Sequence, residues 1–252
     1  MKRYLCLTVF AGLATTAAFA QGPPVAPPGP PPTAKAAAPI DVTGTWVSVV
    51  TEDWRWRMVT PPKGDYASVP LNPEGRKMAD TWDPAKVEAA GNACASYGAA
   101  AISRVPGRLR ISWQDDNNLK VEYDAGTQTR NIMFGAAAKA PAGEAGWQGF
   151  NKGEWEIVGG GRAGPVRGGS LKVVTTNMKA GFLRKNGVPY SANTVLTENW
   201  DLPPKEANGD QWLIVTTIVD DPMYLQQSFI TSTHFKKEAS AAKFAPSACA
   251  AK

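Results

Sequence analysis

Apolar and polar residues alternate with a period of two along much of the chain. In Arg108 to Gln114, Leu109, Ile111 and Trp113 alternate with Arg108, Arg110 and Ser112, the pattern of a strand with one buried face. Asp115-Asp116-Asn117-Asn118 reads as a hairpin turn into Leu119 to Asp124, where Val121 and Tyr123 alternate with Lys120 and Glu122. A second turn at Ala125-Gly126 leads into Gln128 to Phe134, so three successive strands form an antiparallel meander. Further strand-like runs are Gly44 to Thr51, Trp54 to Val59, Gly153 to Val158, Leu171 to Thr176, Val195 to Trp200, Gln211 to Val219 and Phe229 to Lys236. No helical period separates them, which excludes a parallel sheet built from crossover helices. Asn72-Pro73 and Asp83-Pro84 each place a capping side chain before a proline, predicting short helices over 73–81 and 84–90. The glycine-rich stretch 159–169 reads as a loop insertion. The predicted fold is all-β, an antiparallel meander forming a closed or nearly closed β-barrel with a short helical insertion. A β-sandwich is the alternative.

Residues 1–20 interrupt this pattern: Lys2 and Arg3 precede an apolar run that exits through Ala18-Phe19-Ala20. This is the layout of a secretory signal peptide, and Thr15-Thr16 breaks the run before it could span a membrane. Residues 21–39 are rich in proline and alanine, predicting a disordered tether. A single β-rich domain over 40–252 follows. The predicted location is periplasmic or secreted, with no transmembrane segment after cleavage. Loss of Cys6 with the leader leaves Cys94 and Cys249, which an oxidising compartment is expected to join in a disulfide. Their spacing, with one histidine in the chain, does not match a zinc motif, and neither a metal site nor a cofactor is predicted.

The first strand opens on Gly44-Thr45-Trp46, similar to the glycine-x-tryptophan start of lipocalin-like barrels, in which the tryptophan closes one end. Larger blocks, LNPEGRKMADTW, RVPGRLRISWQDDNNLKVEYDAGTQTR, WQGF, NGVPYSANTVLTENWD and TTIVDDPMYL, resemble a group of bacterial secreted or periplasmic proteins of unknown function. That resemblance implies export and a β fold, and implies no activity.

Candidate chemistry is sparse. The chain lacks a nucleophile elbow, a metalloprotease helix motif, a phosphate-binding glycine loop and a dinucleotide fingerprint. The paired aspartates Asp115-Asp116 and Asp220-Asp221 fall in turns, where such side chains cap the backbone. Glu198 shares a face with Leu196 and Trp200, so an inward face would carry a carboxylate into the barrel. There Arg130 or Arg110 is its expected partner. In the last strand His234 shares a face with Ile230 and Ser232, opposite Phe229 and Phe235, which points it outward rather than toward a bound haem.

The formal charge of +5 falls to +3 with loss of Lys2 and Arg3, too little to suggest a nucleic-acid partner. Arg162, Arg167, Lys172, Lys179, Arg184 and Lys185 lie in a stretch without acidic residues, which reads as a solvated face or a contact for an anionic envelope component. Trp113, Trp200 and Trp212, with Arg110 and Arg130, are the candidate lining of a ligand cavity. The expectation is an exported, non-catalytic barrel that binds a small apolar or amphipathic ligand. One alternative is an acid/base enzyme of isomerase or hydratase type with Glu198 as its catalytic carboxylate; another is an envelope interaction or structural protein.

Overall fold

The alternation in the first predicted meander sends its apolar side chains to one buried face. Strands β1 (Gly44–Val49), β2 (Arg108–Trp113), β3 (Asn118–Tyr123) and β4 (Gln128–Phe134) bury Trp46, Leu109, Ile111, Leu119, Val121 and Ile132. The structure is a computed structural model and describes residues 31–136, 138–140, 143–160 and 164–252. The predicted signal peptide and residues 21–30 of the tether lie outside the described residues.

β5 (Phe150–Gly159), β6 (Val166–Thr176), β9 (Val195–Asp201), β10 (Trp212–Asp220) and β11 (Phe229–Glu238) complete a closed nine-strand barrel in the order β1-β11-β10-β9-β6-β5-β4-β3-β2. Closure pairs β1 with both β11 and β2, leaving no free edge. The sandwich alternative is thereby set aside. Two features depart from a simple antiparallel meander. β4 and β5 pair in parallel, Ile132 opposite Asn151 and Phe134 opposite Gly153. A Cβ on Gly153 would lie 2.8 Å from the Phe134 ring, so glycine is what lets that ring lie across the neighbouring strand. β6 then pairs directly with β9, and the chain between them forms a separate hairpin, β7 (Gly181–Arg184) and β8 (Val188–Tyr190). Gly187, at φ 86°, supplies the left-handed residue of its turn. The stretch 159–169 is only in part the expected loop: Gly159 ends β5 and Val166 to Gly169 open β6, paired across the ladder to Ile157, Val158 and Gly159, while residues 161–163 lie outside the described residues.

Trp54 to Val59 is a short helix, α1 (Trp54–Arg57), rather than a strand. Both edges of β1 are already paired, so the following segment has no ladder to join, and Asp53 in a left-handed conformation, φ 52°, turns the chain aside. The two predicted helices form, as α2 (Pro73–Asp80) and α3 (Pro84–Ala89). Asn72 Oδ1 accepts from Gly75 N at 2.8 Å and Asp83 Oδ1 from Ala85 N at 3.0 Å, the caps their sequences announce. A 3-10 turn (Ala93–Ser96) and α4 (Ala99–Ile102) finish this segment.

Pro32–Lys252 form one compact unit with two apolar clusters. One fills the barrel around Trp46, Ile111, Val121 and Trp200. The other joins the helices to the β7–β8 hairpin through Leu71, Ala79, Met178, Leu183, Val188 and Tyr190. Cys94 and Cys249 are bridged, with Cα atoms 5.1 Å apart, fastening the C-terminal tail to the 3-10 turn. Part of the predicted tether also docks: Ala34 O accepts from Trp155 Nε1 at 2.8 Å, and Lys35 N donates to Asp116 O at 3.0 Å. No helix among the described residues is long and apolar enough to cross a membrane.

Candidate functional site

Glu198 points into the barrel from β9 and meets Arg130 from β4; both side chains are fully buried. Arg130 Nη1 donates to Glu198 Oε1 at 3.0 Å, and Nε donates to Asn151 Oδ1 at 3.1 Å. Thr175 Oγ1 donates to the same Asn151 oxygen at 2.8 Å. Burial alone would drive the Arg130 charge off, but Glu198 and then Tyr123 outweigh it and raise the guanidinium above its usual range. The cluster is a satisfied ion pair, of the kind that fixes how two strands face each other.

The other sequence candidates are scattered. Trp200 is fully buried in the barrel core, and Trp212 is half-buried on β10. Trp113 packs with Phe134 and Trp155, ring centroids 5.6 and 6.4 Å away. Arg110 forms a two-pronged pair with Glu122 at 3.1 Å and lies over Phe244. His234 faces outward as expected, its Nδ1 2.9 Å from Thr51 Oγ1. The structure thus brings together Arg130 and Glu198; Trp200 lies in the barrel's apolar cluster and Trp113 packs against it, while Trp212 is not part of that cluster.

A different set of cations converges beside the helical insertion. α1 supplies Arg57, the chain leaving α4 supplies Arg104, and β7 supplies Arg184; they are 8%, 7% and 5% exposed. All three line a cavity of about 310 Å³, with Ser96 and Lys185 and an apolar wall that includes Trp56, Met58, Pro61, Val105 and Leu183. Arg57 Nε donates to Arg104 O at 3.0 Å and its Nη1 to Glu52. Arg104 Nη2 donates to Asp53 Oδ2 at 2.7 Å. Arg184 has neutral partners, Ala67 O at 2.8 Å and Ser68 Oγ at 2.7 Å, and lies over the Trp56 ring.

Each arginine keeps one buried nitrogen, Arg57 Nη2, Arg104 Nη1 and Arg184 Nε, with no acceptor among the described residues. Such donors are costly in a folded protein. Burial, then the neighbouring Arg104 charge, pushes the Arg184 guanidinium down to about 10. Burial likewise lowers Arg57, against the opposing pull of Glu52. An anion in the cavity would offset the charge that the three guanidiniums bring to its wall.

The basic stretch read from sequence is divided by this geometry. Arg184 and Lys185 belong to the cavity, Arg167 and Lys172 lie on β6, and Lys179 sits 4.4 Å over the Trp147 ring. Arg162 lies outside the described residues. On the other face of the β7–β8 hairpin is a second hollow of about 260 Å³, lined by Trp147, Phe182, Tyr190 and Tyr224. No set of residues arranged to hold a metal ion occurs among the described residues. Arg57 and Arg104 went unmarked in the sequence; the only local signal is the aromatic-basic repeat Trp54-Arg55-Trp56-Arg57. No family model, no curated protein and no solved structure matches the chain.

Proposed function

We propose that this is an exported, non-catalytic binding protein for a small amphipathic ligand, whose anionic group sits among Arg57, Arg104 and Arg184 and whose apolar part lies along Trp56, Met58 and Leu183. The observation that carries this reading is the convergence of three buried guanidiniums on one cavity, Arg184 among them with only a carbonyl and a hydroxyl as partners. Proteins retain such costly arrangements where function needs them. The packed barrel core supports the same reading over a catalytic one, because the fully buried Glu198 carboxylate is already engaged by Arg130. The disulfide favours an oxidising compartment.

Titration calorimetry with tryptophan fluorescence on the mature chain tests this, using octanoate, phenyl phosphate and neutral octanol. Either anion is expected to bind saturably and perturb Trp56, while octanol does not. Arg184→Met should weaken the anion by about tenfold or more, and Phe182→Ala, in the second hollow, should leave it unchanged. Absence of saturable anion binding, or equal binding of octanol, would overturn the proposal.

A further inference from the structure

We infer that the group held among Arg57, Arg104 and Arg184 is a dianion, the phosphate of a phosphate monoester that carries a compact apolar or ring-shaped substituent. This rests on the binding reading above and adds the chemical class of the ligand.

Charge balance is the first support. Arg57, Arg104, Arg184 and Lys185 bring four positive charges to the cavity wall. The carboxylates bonded to them are Glu52 on Arg57 and Asp53 on Arg104. Asp53 and Asp65 also act on Arg184 through space, but Asp53 is bonded to Arg104 and Asp65 to Arg55, each at 2.7 Å. Arg184 and Lys185 are therefore left without a bonded carboxylate, the partners of Arg184 being a carbonyl and a hydroxyl. A carboxylate or sulfate ester would neutralise one of the two; a phosphate monoester above its second pKa, about 6, brings close to two negative charges.

Geometry is the second. The guanidiniums that line the cavity come from three elements, α1, the turn after α4 and β7. A planar carboxylate is met well by one guanidinium in its own plane, whereas a tetrahedral group with three terminal oxygens can receive donors from several directions. The third support is the apolar wall. Trp56, Met58, Pro61, Val105, Pro106 and Leu183 share the cavity with the arginines, and inorganic phosphate would leave that surface wet. An ester group lying on Trp56 would cover it.

Calorimetry at pH 8, which keeps the ester dianionic, compares phenyl phosphate with phenyl sulfate and benzoate on the mature chain. Phenyl phosphate is expected to bind at least about tenfold more tightly than either monoanion. In Arg184→Met, and to a smaller degree in the milder Lys185→Gln, that preference should shrink to less than about threefold. A further arm uses phosphatidylcholine vesicles with and without phosphatidic acid, a lipid that is itself a phosphate monoester. Arg184-dependent binding confined to the phosphatidic acid vesicles would support the same head-group chemistry with a membrane source. Equal affinities for the three soluble anions would overturn the dianion and leave the binding reading standing. Failure of every anion and vesicle would overturn both.

Discussion

Arg130 and Glu198 are the residues on which the barrel interior is most exposed to failure. Removing one charge leaves the other buried without a partner, which costs about 3–5 kcal/mol in comparable pairs. Glu198→Gln should therefore lower stability by about 3 kcal/mol, measured by urea unfolding, and Arg130→Met added to it should restore part of the loss. If Glu198→Gln is as stable as the parent, the pair is not the structural element described. Arg184 is expected to behave in the opposite sense. Its guanidinium is lowered to about 10 in the folded state, so near neutral pH the charge is carried at a cost that falls away as pH rises through 10, while the unfolded chain keeps its proton. Arg184→Met should leave stability within about 1 kcal/mol of the parent while losing anion binding. A loss of several kcal/mol in that variant would mark Arg184 as structural.

At the scale of elements, the strap formed by the chain before β1 and the capped helices carry separable contributions. The strap's bonds from Ala34 and Lys35 to Trp155 and the β2–β3 turn predict that a chain starting at Pro39 melts a few degrees below one starting at Gln21. An unchanged melting temperature would show that the strap contributes nothing. Asn72→Ala should cost about 1 kcal/mol through the lost cap on α2, again read by urea unfolding. The barrel strands and both capped helices were legible because each carries its own local pattern: period two for β2, β3 and β9, and cap plus proline for α2 and α3; the short β7 and β8, four and three residues long, carry too little pattern to be read. The inward Glu198 was legible for the same reason, through its parity with Leu196 and Trp200, whereas its partner stayed open between Arg130 and Arg110 until the structure paired Arg130 with Glu198 and Arg110 with Glu122. α1 was not, because Trp54 to Val59 carries an alternating pattern and only the closure of the barrel around β1 denies it a ladder. The cavity was hidden further still, since its arginines come from three elements far apart in sequence, and a period within one element does not report on such a meeting.

For the molecule as a whole, the barrel is closed and packed with apolar side chains, and the proposed ligand cavity lies outside it, where the helical insertion meets the β7–β8 hairpin. The Cys94–Cys249 bridge spans 155 residues and holds the 3-10 turn that contributes Ser96 to the cavity. Chain entropy assigns such a loop about 4–5 kcal/mol, so reduction, or Cys94→Ser with Cys249→Ser, should lower the melting temperature by several degrees and weaken anion binding as well. The most direct measurement of the central claim is the NMR spectrum of the arginine Nε–Hε groups during titration with phenyl phosphate. Binding at the three-arginine cavity predicts that the Arg184 Nε–Hε resonance moves downfield and saturates with the calorimetric affinity, while that of Arg130, already bonded to Asn151, stays in place. An Arg184 signal unmoved at saturation would contradict the account.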